Sequence, residues 1–179
     1  MKIKNLTIRD TCHIGFFAAI IAVCAQISIP MPIGVPMTLQ TFAIPLAGVV
    51  LGTKKGMIAT LVYILLGAVG LPVFANFTGG IGVVFGRTGG FILSFPLMAL
   101  AAGIGATKGK LWLMAWLVVG TVVNYFCGML MFSFITSTGL AAAFMLAVVP
   151  FLLTDVVKIA MVLVLGNVIK QALIKSRIF

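Results

Sequence analysis

Apolar runs broken only by short clusters of glycine, proline and basic residues decide what this chain can be. Of its 179 residues 63% are hydrophobic and 8% are charged, against about 25% charged in an ordinary soluble domain. A soluble fold of this size has no interior able to hide so much apolar surface. A helix that crosses a bilayer needs about 20 apolar residues. Length and pattern together predict an all-α integral membrane protein of about six transmembrane helices, forming one transmembrane domain over 1–179.

The breakers set the predicted spans. A first helix over 14–29 stops at Pro30, Pro32, Gly34 and Pro36, because prolines remove backbone donors and restrict their neighbours. A second covers 38–52, followed by a tight turn at Lys54, Lys55 and Gly56, and a third covers 57–71, before Pro72. A glycine-rich connection fills 72–90. The fourth helix covers 91–106, the fifth 111–135 and the sixth 150–173, with Pro150 suited to a first helical turn. The segment 139–149 is apolar but too short to span. It reads either as a re-entrant or interfacial helix or as the first part of a kinked sixth helix.

Twelve basic and two acidic residues give a net charge of +10. Lys2, Lys4 and Arg9 precede the first span, Lys54 and Lys55 follow the second, Lys108 and Lys110 follow the fourth, and Lys170, Lys175 and Arg177 close the chain. With six spans these ten share one side and only Arg87 faces the other, so the positive-inside rule puts both termini in the cytoplasm. Trp112 and Trp116 then fall at the inner interface. Such scattered clusters form no contiguous basic face, so nucleic acid is not an expected partner; the lipid bilayer is. The basic N-terminus before an apolar run resembles a signal peptide, but no small-x-small cleavage site follows, and the run reads as a retained helix.

Several chemistries are absent. No G-x-x-x-x-G-K-[ST] segment exists for ATP hydrolysis through a P-loop, and Gly80, Gly82 and Gly86 miss the dinucleotide spacing. His13 is the only histidine, so no metal cluster is expected. Cys12, Cys24 and Cys127 are odd in number, widely spaced and in apolar surroundings, as packing residues would be. Asp10 and Asp155 are the only acids, which leaves paired-carboxylate catalysis without a second member in the membrane. The chain reads as a non-enzyme without a cofactor.

Arg87, Asp155 and Lys158 are not explained by topology. Asp155 and Lys158 are three residues apart and share a helix face. Counted from Pro150 they lie roughly 7 and 12 Å deep at 1.5 Å per residue. Each would cost roughly 2.5–3.5 kcal/mol at a helix centre. Intramembrane charges usually line a pathway or ligand site; a buried pair that only clamps helices is the competing reading. Asn76, Thr78, Thr38 and Gln40 fall on the same outer side, and Phe74, Phe77 and Phe85 interleave with the glycines of the long connection. Glycines admit close approach and aromatics supply apolar walls, which together describe an outward-facing pocket with a few polar anchors. Gly15, Ala18, Ala19, Ala22 and Ala25 put small residues at helical spacing on the first helix, a pattern that serves either packing within the chain or contact with another helix.

The segments Gln26-Ile-Ser-Ile-Pro30, Val35-Pro-Met-Thr-Leu-Gln-Thr-Phe42, Gly70-Leu-Pro-Val-Phe-Ala75, the glycine run from Gly79 to Gly90, and Thr154-Asp-Val-Val-Lys158 resemble the BioY family. These are biotin-specific substrate-capture subunits (S components) of energy-coupling factor (ECF) transporters, and the resemblance covers nearly the whole chain. It implies six helices with both termini inside, a bacterial cytoplasmic membrane, biotin captured from outside, and three partners: a coupling transmembrane subunit and two ATPase subunits. It places Asn76, Arg87, Asp155 and Lys158 at biotin contacts, and Ala18 and Ala22 at an Ala-xxx-Ala motif that docks on the coupling subunit. Many relatives carry proline at the position of Arg87, which leaves that residue either an elaboration of the site or a bystander. A self-sufficient secondary transporter of biotin or another vitamin is the alternative function, although no inverted repeat is evident.

Overall fold

A computed structural model describes residues 7–32 and 34–176. Lys2, Lys4 and Arg177, on which part of the charge argument rests, lie outside the described residues. The elements run α1 (Ile8–Gln26), β1 (Ser28–Ile29), β2 (Met37–Thr38), α2 (Gln40–Leu51), α3 (Thr53–Ala68), a 3₁₀ turn (Ala75–Phe77), α4 (Ile81–Val84), α5 (Gly89–Gly105), α6 (Lys110–Thr136), α7 (Leu140–Ala147) and α8 (Val149–Lys175). The architecture is all-helical apart from the two-residue strands. By length and composition α1, α6 and residues 149–173 of α8 can cross a membrane; α2 and α5 are shorter and apolar.

Local chemistry sets the ends. α1 starts six residues earlier than expected because Thr7 and Asp10 form a reciprocal capping box, each side chain bonding the other's backbone N–H. It ends at Gln26, before Ser28 and Ile29 turn extended and pair antiparallel with Met37 and Thr38. The prolines at 30, 32 and 36 fall in and beside the loop of this hairpin. Within 139–149, α7 is a short helix of its own rather than the first part of a kinked last helix: it is separated from α8 at Val148, whose backbone leaves the helical region (φ −125, ψ −55).

α2 sits at the centre, packed by α1, α3, α5 and α8. Every residue from Ala43 to Leu51 is buried, as suits a helix apolar on all sides. Its twelve residues reach only about 18 Å at 1.5 Å each, well short of a hydrocarbon core of about 30 Å. The hairpin and a cavity lie at its N-terminal end. Backbone that is neither helix nor sheet is tolerated at such a depth when protein surrounds it. Small residues allow the close packing: a Cβ on Gly48 would lie 2.1 Å from the Ala99 carbonyl oxygen of α5, and one on Gly90 2.2 Å from that of Cys127 on α6.

At the opposite end α1 and α3 are joined by an ion pair between Asp10 and Lys55, and Lys108 lies 5.4 Å from the ring centre of Trp112. Cys24 and Cys127 are half-buried, whereas Cys12 is exposed and does not pack in the core as expected. Ala18 is 2% exposed and packs in the core with Ala22 against it. Ala18 therefore packs inside this chain, where its small side chain lets α1 lie close to its neighbours, while Ala22 is only partly covered. The small residues that α1 leaves exposed are Gly15 and Ala19.

Candidate functional site

A cavity of about 340 Å³ lies where the hairpin, the 72–88 connection, and the cavity-end parts of α2, α5, α6 and α8 converge. Asn76, Arg87, Asp155 and Lys158 all border it. Its walls are mostly apolar, with Phe74, Phe91, Phe95 and Phe151 among them. Phe74 is fixed edge-on against Tyr63 at 5.6 Å between ring centres and fills the notch left by Gly67, where a Cβ would collide with the ring.

The polar centre is built from three helices. Asp155 and Lys158 of α8 are 4% and 6% exposed. Lys158 Nζ donates to Asp155 Oδ1 at 2.7 Å and to Thr41 Oγ1 of α2 at 2.9 Å. The Thr41 hydroxyl donates in turn to Asp155 Oδ1 at 3.0 Å. Tyr125 of α6 donates its phenol proton to Asp155 Oδ2 at 2.6 Å. The pair is thus a four-residue cluster rather than a lone ion pair. A carboxylate offers about four acceptor positions, and three donors occupy Asp155, so one position remains.

Next to Tyr125, Asn124 is 1% exposed and borders the cavity. Its Nδ2 donates to the Phe91 carbonyl at 2.9 Å and to Ser94 Oγ at 2.8 Å. The carbonyl partner fixes which way the amide faces, since only nitrogen can donate there. Asn124 Oδ1 has no hydrogen-bond partner among the described residues, and leaving such an acceptor unpaired costs about 1–3 kcal/mol.

The rim is set differently. Asn76 and Phe77 both have positive φ, 57° and 55°, and Ser28 Oγ donates to Asn76 Oδ1 at 2.8 Å. Arg87 is exposed and lies over Gly34: a Cβ there would sit 3.2 Å from Arg87 Nη1. Gly34 adopts φ +79°, open to glycine at little cost. The expected outer-side residues Thr38 and Gln40 are buried and bonded to each other, Thr38 Oγ1 donating to Gln40 Oε1 at 3.0 Å. Gln40 Nε2 donates to the Tyr63 hydroxyl. Thr41, Asn124 and Tyr125 were not anticipated from sequence; a threonine, an asparagine and a tyrosine in apolar helices gave the only signal.

A chamber of this size lies within the range of small-molecule sites, and its apolar walls surround a cluster of charged and hydroxyl groups. Fold and cavity define a helical membrane protein built around a small-molecule chamber. The BioY family model matches residues 1–175. A probable biotin transporter BioY of Pyrococcus horikoshii is 41% identical over 167 residues, covering 93% of this chain and 96% of that one. The biotin transporter BioY of Thermotoga maritima is 39% identical over 165 residues, covering 91% and 96%. The crystal structure of an S-component for biotin from an ECF-type ABC transporter superposes with a TM-score of 0.85 at 23% identity, covering 96% and 95% of the two chains, and shares the fold. The chain belongs to the BioY family.

Proposed function

We propose that this protein is the biotin-capturing S component of an ECF-type importer, a non-enzymatic subunit that binds biotin in the 340 Å³ cavity. The observation that carries the reading is the buried Asp155 cluster with one acceptor position unfilled, set among phenyl rings in a BioY-family chain. Biotin has a ureido ring with two N–H donors and a carbonyl acceptor, an apolar thioether ring and a carboxylate tail. Asp155 accepts one ureido N–H, and Asn124 Oδ1 is an acceptor for the other. Lys158 and Asn76 donate to the carbonyl side. Arg87, exposed at the rim, pairs with the carboxylate.

The chain forms one membrane domain of six spans, α1, α2, α3, α5, α6 and α8, with both termini cytoplasmic and the cavity facing outward. Support comes from the alternation of helix directions, with Lys54, Lys55, Lys108, Lys110 and Lys170 gathered at the end away from the cavity. The site is the cytoplasmic membrane of a bacterium. Uptake requires a coupling transmembrane subunit and two ATPase subunits. α1 meets the coupling subunit through Gly15 and Ala19, with Ala22 at the margin, rather than through Ala18.

Calorimetry of the purified protein with biotin, riboflavin and thiamin tests the ligand. Binding of biotin alone is expected; preference for either other vitamin would overturn the assignment. Uptake by cells with and without the ATPase subunits separates this reading from a self-sufficient transporter, which would accumulate biotin equally in both.

A further inference from the structure

Asn76 does not hold its own position. It and Phe77 are consecutive non-glycine residues in the left-handed region, which residues other than glycine seldom adopt, asparagine more readily than phenylalanine. Within the turn, Phe74 N donates to the Thr78 carbonyl at 2.9 Å and Thr78 Oγ1 donates to the Ala75 carbonyl at 2.8 Å. The Thr78 N–H also donates to the Ala75 carbonyl at 3.3 Å, and further support comes from 48 to 51 residues away in sequence. Gln26 Nε2 donates to the Phe74 carbonyl at 3.1 Å, and Gln26 Oε1 accepts from the Phe77 N–H at 2.9 Å. The same Nε2 also reaches the Ala22 carbonyl one turn back on α1, at 3.3 Å.

This pattern admits one orientation of the amide. A flipped Gln26 would set nitrogen against an N–H and oxygen against two carbonyls. The side chain therefore grips the turn on both sides of Asn76 with one donor and one acceptor, and it does so from the last residue of α1. Ser28, two residues on, bonds the Asn76 side chain itself.

We propose that Gln26 is a positioning residue for the ligand cavity: it locks the 74–77 turn to the end of α1 and thereby holds Asn76 in the wall. The inference rests on the biotin-site reading above and adds a mechanical link. Any displacement of α1 at this end pulls on the turn that carries Asn76, so the helix and the cavity move as one unit.

The test uses full-length protein in detergent, with Gln26→Met, which keeps the length but makes neither bond, and Gln26→Glu, which keeps only the acceptor. Biotin affinity is measured for each, for Asn76→Ala, and for Gln26→Met combined with Asn76→Ala. Hydrogen exchange of the 72–80 segment is followed without ligand. Gln26→Met is expected to weaken biotin about tenfold in the parent and less than about twofold in the Asn76→Ala background, the non-additivity of residues acting as one unit. Exchange at Phe77 should rise in Gln26→Met and stay near the parent in Gln26→Glu. Equal losses in both backgrounds would mean that Gln26 supports the fold without acting through Asn76, and unchanged affinity or exchange in Gln26→Met would also overturn the proposal. Asp155→Asn serves as the separate arm. If it binds biotin like the parent, the site reading fails, while the exchange result still decides whether Gln26 holds the turn.

Discussion

Thr41, Tyr125 and Lys158 fill three of the positions on the Asp155 carboxylate, so substitutions around it should differ in a predictable order. Asp155→Asn keeps the shape but removes the charge and puts an N–H₂ in place of one of two oxygens that both accept from donors, and hydrogen bonds to a charged group contribute roughly 1.5–3 kcal/mol. Biotin affinity should fall at least about tenfold. Lys158→Ala should be worse, since removing one partner of a buried pair costs about 3–5 kcal/mol and leaves Asp155 buried. Tyr125→Phe removes one donor and spares the open position, with an expected loss of about two- to tenfold. Calorimetry on folded protein gives all three; equal affinities throughout would make the cluster a helix clamp. Arg87 sits at the rim and is exposed, so its role is separable. Arg87→Ala should weaken biotin more than biotin carboxamide, and equal losses would mean that it does not read the tail. Asp155 and Lys158 were legible in the sequence because a charge inside an apolar run is costly and therefore conspicuous, and Arg87 because it is the only charge in the expected outer connections. Thr41, Asn124 and Tyr125 were not, because each is unremarkable on its own helix and gains meaning only when α2, α6 and α8 meet.

At the scale of the elements, small residues behave in opposite ways according to what faces them. A Cβ on Gly48 would strike the Ala99 carbonyl, while one on Gly15 meets nothing within 4 Å. Gly48→Ala should lower the unfolding temperature through overpacking of roughly 1–3 kcal/mol. Gly15→Ala should hold or raise it, because alanine is better than glycine in a helix by about 0.8–1.0 kcal/mol. Thermal unfolding in one detergent checks the pair, and similar losses would mean that α2 and α5 do not pack as closely as described. The same logic separates the alanines of α1. Ala18→Trp should disrupt packing and biotin binding together, whereas Ala19→Trp should leave binding nearly intact and impair co-purification with the coupling subunit. Spacing alone put Ala18 and Ala19 on the same small-residue list, since a periodic pattern names a face but not what covers it. The late start expected for α1 has a similar cause: Thr7-x-x-Asp10 is a cap signal, yet it is hidden among basic residues that read as a flank.

For the molecule as a whole, charge and helix direction make one joint claim. α5 ends at Gly105 and α6 begins at Lys110, so Lys108 lies at the turn between two antiparallel helices. Gly139 follows α6 at the other end, exposed and with open space around it. If six helices span, 108 and 139 lie on opposite sides, and Lys175 at the end of α8 returns to the side of 108. The excess of lysine and arginine at that end then makes it cytoplasmic. In a background with Cys12, Cys24 and Cys127 replaced by alanine, Gly139→Cys should react with a membrane-impermeant maleimide on intact cells. Lys108→Cys and Lys175→Cys should react only after the cells are opened. Labelling of 108 and 175 but not 139 from outside would invert the orientation and turn the cavity inward, where it could not capture a solute arriving from outside. Labelling of 108 and 139 together would break the span count at α6, whose 27 residues reach about 40 Å at 1.5 Å each and so leave length to spare across a core of about 30 Å. The predicted pattern follows only when the directions of α5, α6 and α8 and the distribution of charge agree.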